Sequence, residues 1–175
     1  MSAKSETQAA GSSGVSAQQT TIMERKSERE LVIKRSFAAP AHLVFQAWAK
    51  PELFRQWWTP KSYGMTILSC EMDVRTGGGY RLEIGHPAFD QPMVFFGSYT
   101  DVVPNQRIVW TNEESADGAI TTVTFTETDG RTEVSVSNLF PSVQALEDEL
   151  ASGATECMGE TFNQLEELLG DNAGG

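Results

Sequence analysis

Apolar residues recur at every second position in run after run between residues 31 and 140, and at every third or fourth position beyond residue 142. The first pattern reads as strands and the second as helix. Leu31, Val32 and Ile33 open a β-type run that ends at Phe37, and Ala38-Ala39-Pro40 then puts proline where a first helical turn tolerates it. Residues 41–49 place Leu43, Val44, Ala47 and Trp48 on one helical stripe. Pro51-Glu52 restarts a second short helix through Leu53, Phe54, Trp57 and Trp58. Over residues 65–74 the period becomes two, with Leu68, Cys70, Met72 and Val74 on one side. Thr76-Gly77-Gly78-Gly79 turns the chain into Tyr80, Leu82 and Ile84. Further strand-like runs fall at 93–103, 107–112 and 119–127, and Asp129-Gly130 leads into 132–140. In residues 142–169, Val143, Leu146, Leu150, Ala154, Met158, Phe162 with Thr161, Leu165 and Leu169 keep helical steps, which predicts one long amphipathic helix stopped by Gly170. A bend near Gly153 or a close backbone approach at Gly159 accounts for its two internal glycines.

The predicted order is one strand, two short helices, six strands and a terminal helix. Short turns between successive strands make the sheet antiparallel. Val123 and Phe125 alternate with threonines, and Val134 and Val136 with serines, so one face is dry and the other wet. The fold class is therefore α+β, a curved seven-stranded antiparallel sheet whose dry face is covered by the last helix. A concave pocket is expected between the two. Residues 1–29 are expected to be a disordered tail, because the Ser, Ala, Gln and Thr run up to about residue 21 has no periodic apolar pattern. Residues 30–170 form the domain, and 171–175 a flexible C-terminus.

Composition narrows the function classes. The 175-residue chain has 13 Lys and Arg against 24 Asp and Glu, a net charge of -11, which argues against a nucleic-acid binder. No apolar run reaches the length of a membrane helix and no secretory h-region is present, so a cytoplasmic protein without membrane insertion is expected. The charge is uneven: residues 31–107 carry 8 basic and 6 acidic side chains, whereas 108–175 carry Arg131 alone against 14 acids. That half is either a solubilising face or a docking face for a basic protein partner.

The candidate chemistry is sparse. Cys70 and Cys157 stand in neither a redox nor a zinc spacing, and His42 and His86 have no ligand-spaced neighbours, so no metal and no cofactor is expected. Gly77, Gly78 and Gly79 are turn glycines, because no Lys-Ser/Thr and no helix follows them. No nucleophile–base arrangement is visible, so no catalytic residue is assigned. Asp73 and Arg75, two apart on a strand, form a surface pair or cap the turn that follows. Trp48, Trp57 and Trp58 either anchor the short helices or wall the pocket. With them, Leu68, Cys70, Met72, Tyr80, Leu82, Tyr99, Trp110, Phe125, Met158 and Phe162 make up the candidate ligand-binding set, with Tyr80, Tyr99 and Trp110 as its polar contacts. The same side chains could instead fill a solid core.

Several blocks carry a family likeness. Phe37-Ala38-Ala39-Pro40, Val44-Phe45-Gln46-Ala47-Trp48, Pro51-Glu52-Leu53 and Trp57-Trp58 precede the run from Cys70 through Asp73-Val74-Arg75-Thr76-Gly77-Gly78-Gly79-Tyr80, with Gly97-Ser98-Tyr99 and Val103-Pro104 beyond. Over about residues 31–169 this resembles the SRPBCC (START-like) superfamily, and within it the group similar to the C-terminal domain of the activator of the heat-shock protein 90 ATPase. The resemblance implies the helix-grip fold. Because that superfamily includes lipid and polyketide binders, co-chaperone domains and a few cyclases, it implies three alternatives: a module that binds a small hydrophobic or aromatic molecule, a partner of a heat-shock ATPase in the stress response, or a cyclase- or hydrolase-type enzyme.

Overall fold

Strand alternation organises the sheet as expected, with one strand more than the periodicity reveals. The computed structural model describes residues 21–114, 118–153 and 157–174. Its strands are β1 (Ile22–Arg25), β2 (Glu30–Phe37), β3 (Thr66–Met72), β4 (Gly79–Gly85), β5 (Met93–Val103), β6 (Arg107–Thr111), β7 (Ile120–Thr128) and β8 (Arg131–Leu139). They form one antiparallel sheet in the order β1-β2-β8-β7-β6-β5-β4-β3. β1 lies inside the segment expected to be tail. All four of its residues are exposed, so no hydrophobic period marks it; backbone pairing to β2 and an Arg25–Glu147 ion pair at 2.9 Å hold it. Residues 1–20 of that expected tail, Ala154 of the expected helical stripe and residue 175 lie outside the described residues, and 171–174, expected to be flexible beyond a stop at Gly170, continue the last helix.

Between β2 and β3 the chain crosses from one side of the sheet to the other through α1 (Ala41–Ala49), α2 (Pro51–Phe54) and a 3₁₀ turn at Lys61–Tyr63. Pro40 precedes α1, and the free Ala41 N–H donates to Glu127 Oε1 at 2.8 Å, a carboxylate at the positive end of the helix. Two irregularities bend the sheet, one between Ile67 and Ser69 in β3 and one between Tyr99 and Asp101 in β5. Gly97 marks a close approach: a Cβ there would lie 1.8 Å from the Thr111 carbonyl oxygen and 2.9 Å from the Tyr80 ring.

The predicted single terminal helix is two. α3 (Val143–Ser152) starts on Ser142, whose Oγ accepts from Ala145 N–H at 3.0 Å, and ends at Gly153, which has φ +79°. α4 (Met158–Gly174) then packs on the buried face of the sheet. The left-handed Gly153 terminates the first helix, so the expected bend is a full break. α4 buries Phe162, Leu165, Leu168 and Leu169, and the Phe162 ring meets Phe37 edge-on at 5.6 Å. Polar contacts clamp both sides of this helix. Arg35, its side chain 1% exposed, pairs with Glu166 at 2.6 Å and donates to Asn163 Oδ1 at 2.7 Å. Opposite, Gln164 Nε2 donates to the Trp57 and Thr59 carbonyls, and Glu160 accepts from the backbone and hydroxyl of Ser62. α3 rests on a smaller cluster in which Ala145 and Leu146 meet Leu31, Ala119 and Phe140.

Candidate functional site

Between the sheet, the end of α3 and the start of α4 lies a cavity of about 570 Å³, a volume typical of small-molecule sites. Its floor follows from register. Tyr99 pairs with Trp110, Trp110 with Thr121, and Thr121 with Asn138, so side chains of the same phase stand side by side across β5 to β8. Met72, Tyr80 and Leu82 form one wall, Phe54 and Trp58 another, and Ala145, Asp148, Glu149 and Ser152 of α3 a third, with Met158 at the start of α4.

Seven of the thirteen candidate residues line this space: Trp58, Met72, Tyr80, Leu82, Tyr99, Trp110 and Met158. The others do not. Trp48, Trp57, Phe125 and Phe162 are buried in the main core. There Trp48 meets Trp57 at 4.7 Å and Phe125 at 6.3 Å between ring centroids, and Trp57 Nε1 donates to the Ala47 carbonyl at 3.0 Å. These rings anchor α1 and α2 to the sheet. Cys70 is half-buried behind the wall, its Sγ 3.4 Å from Met72 Sδ, and burial pushes its thiol pKa up against the opposing influence of Arg55. Leu68 is a correction. The bulge in β3 makes it the extra residue, so Ile67 turns inward and Leu68 is 55% exposed. Asp73 and Arg75 form an exposed ion pair at 2.9 Å.

A row of polar side chains that periodicity did not nominate crosses the cavity. Tyr80 Oη donates to the Thr111 carbonyl at 2.9 Å and lies 3.2 Å from Asn112 Oδ1. Asn112 Nδ2 donates to Thr121 Oγ1 at 3.1 Å and to the Ala119 carbonyl, and Thr121 Oγ1 donates to Asn138 Oδ1 at 2.7 Å. The absent Cβ of Gly97 leaves room for the Tyr80 ring on its way to Thr111. A sequence signal for this row exists: Asn112, Thr121 and Asn138 occupy the core-facing phase of Ile108 and Trp110, of Val123 and Phe125, and of Val134 and Val136. A polar residue in an apolar phase is either satisfied by a neighbour or aimed at a ligand.

The electrostatics have one sign. Burial, reinforced by Glu114, Tyr99 and Glu113, pushes the Tyr80 phenol well above its ordinary pKa. Burial, then Cys70 and Asp73, does the same for Tyr99. Both are neutral hydroxyls at physiological pH. Tyr99 is only 5% exposed, yet its hydroxyl has no hydrogen-bond partner among the described residues. Glu149, half-buried on α3, has its carboxyl pKa raised by burial, and its carboxylate makes no hydrogen bond or ion pair among the described residues. Glu114 and Asp148 stand with it on the lining. The acids on this wall were not among the sequence candidates, because a glutamate on an exposed helix face carries no periodic signal.

Comparison with known proteins agrees with this architecture. Residues 38–170 match the family model described as Activator of Hsp90 ATPase homolog 1-like protein. A crystal structure of a protein from Nitrosomonas europaea superposes with a TM-score of 0.78 at 24% identity, over 86% of this chain and 100% of that one. One from Rhodobacter sphaeroides reaches a TM-score of 0.80 at 20% identity, over 87% and 99%. A solution structure from Staphylococcus epidermidis gives 0.73 at 27% identity, over 86% and 94%. No curated protein matches the chain.

Proposed function

Because the chain belongs to the Activator of Hsp90 ATPase homolog 1-like family, whose helix-grip fold here encloses a lined hollow, we propose that it binds a small hydrophobic or aromatic molecule between sheet and C-terminal helices. The observation that carries this reading is the cavity of about 570 Å³, with aromatic and aliphatic walls and a short row of hydrogen-bonding groups on its floor. Such a site gains affinity from apolar burial and orientation from its few polar groups. Among the described residues no helix is long and apolar enough to cross a membrane. Native mass spectrometry of the protein as isolated, followed by thermal-shift measurements with lipids, flavonoids and polyketide-like aromatics, tests the reading. A ligand at a hundred times its Kd adds about 2.7 kcal/mol, which raises Tm by roughly 5–10 °C in a domain of this size. Neither a bound mass nor a shift across the panel would refute it.

A second reading, a co-chaperone-like domain that docks on a heat-shock ATPase, is favoured by the helical face. α3 and α4 carry Glu147, Asp148, Glu149, Glu160, Glu166 and Glu167 and no Lys or Arg. Pull-down with the heat-shock ATPase at low salt, together with its ATP turnover, decides it: neither binding nor a change in turnover ends this reading.

A further inference from the structure

The charge of the lining narrows the ligand class. Among the described residues that line the cavity there is no Lys, Arg or His, and three carboxylates, Glu114, Asp148 and Glu149, stand on it. Two of them are engaged: Glu114 Oε1 accepts from Phe96 N–H at 3.3 Å, and Asp148 Oδ1 accepts from Gln144 Nε2 at 2.9 Å. The Glu149 carboxylate has neither a donor nor a cation beside it among the described residues, although it is half-buried. Trp58, Trp110 and Tyr99 present aromatic rings to the hollow, and the Tyr99 hydroxyl is unpartnered among the described residues.

An anion entering this space would lose water against three like charges with no cation to meet it. An organic cation would meet the opposite: ring faces with negative quadrupoles for its charge and a desolvated carboxylate to pair with. We propose that the cavity selects ligands with an apolar or aromatic body and a positively charged nitrogen, seated with the nitrogen against Glu149 on α3 and the body against Trp58 and Trp110. This inference rests on the reading that the cavity binds a small molecule, and it deepens that reading by assigning the ligand's charge. The same geometry disfavours fatty acids and other carboxylate amphiphiles.

The test uses three probes of one shape, 2-naphthylmethylamine, 2-naphthylmethanol and 2-naphthoate, titrated by calorimetry and by quenching of the tryptophan fluorescence. The amine is expected to bind about tenfold tighter than the alcohol, and the carboxylate most weakly. Glu149→Gln should shrink the amine's advantage over the alcohol to about threefold or less. Glu133→Gln, on the solvent face of β8, should leave the advantage intact, which separates a local pairing from attraction to the acidic molecule as a whole. Equal binding of amine, alcohol and carboxylate, or an amine preference that survives Glu149→Gln, overturns the charge assignment while the cavity stands. Binding of none of the three overturns the cavity reading itself.

Discussion

Trp57 and Trp58 are adjacent in the chain and have opposite duties, which a pair of substitutions separates. Trp57 is 0% exposed, its ring packs on Trp48 at 4.7 Å and on Phe54 and Trp58 at 5.5 Å, and its Nε1 satisfies the Ala47 carbonyl. Trp57→Ala therefore opens a closed void in the main core and should cost about 3–5 kcal/mol, a large part of the stability of an ordinary domain. Trp57→Phe keeps most of the ring and orphans the Ala47 carbonyl, at about 1–3 kcal/mol. Trp58 is half-buried with one face on the cavity, so Trp58→Ala enlarges an existing space and should cost only about 1–2 kcal/mol. Its main effect is on binding, where loss of the wall weakens 2-naphthylmethanol severalfold. Urea unfolding gives the stabilities, compared through the midpoint at constant slope, and calorimetry gives the Kd values. A Trp58→Ala variant that is as unstable as Trp57→Ala and still binds the probe with native affinity would refute the division between anchor and wall.

Further expectations concern the helix clamp, the mouth of the cavity and the bulge. Glu166→Ala leaves the Arg35 guanidinium buried with Asn163 as its remaining described side-chain partner on α4, and should cost about 2 kcal/mol, below the figure for fully buried pairs because Glu166 is 29% exposed. A native-like urea midpoint would show that the pair does not hold α4. Glu149 has a carboxyl pKa raised by burial, so its ionisation opposes folding. Below the ordinary carboxylate range both states are protonated and the group contributes nothing; as pH rises from that range to the raised value the unfolded chain ionises while the folded state resists, and stability is lost. Glu149→Gln should therefore raise Tm at pH 8 and leave it unchanged near pH 4, and a Tm gain that is equal at both pH values would contradict the assignment. Leu68→Asp should change the unfolding free energy by less than about 0.5 kcal/mol, since the bulge turns that side chain to solvent; a loss of probe affinity would place Leu68 in the site after all.

The legible part of this fold is the part written as periodicity. β2 to β8 and both short helices follow from alternation and helical stripes, because a buried face imposes its period on the residues that make it. β1 left no such mark, being exposed at all four positions. The break at Gly153 was visible only as an unfavourable glycine, and its left-handed φ is a property of the folded backbone that continuing apolar steps conceal. Leu68 misled for a related reason: one bulged residue shifts every later side chain in a strand by one phase, and the sequence cannot announce the bulge. Within the site, the tryptophans were recognisable as a group, but which ring touches the hollow depends on how α2 packs. The row of Asn112, Thr121 and Asn138 was readable in principle as polar residues in an apolar phase, and the Glu149 wall was not, since its role depends on where α3 ends.

The central claim, an open hollow that accepts a guest between the sheet and the two C-terminal helices, is tested most directly by NMR with 2-naphthylmethanol and methyl-labelled methionine. Intermolecular NOEs from the naphthyl protons to the Met72 and Met158 methyl groups, with ring contacts to Trp58 and Trp110, are the predicted result. Contacts confined to the outer sheet face around Thr122, Thr124 and Ser135, or no intermolecular NOE at saturating probe, would contradict it.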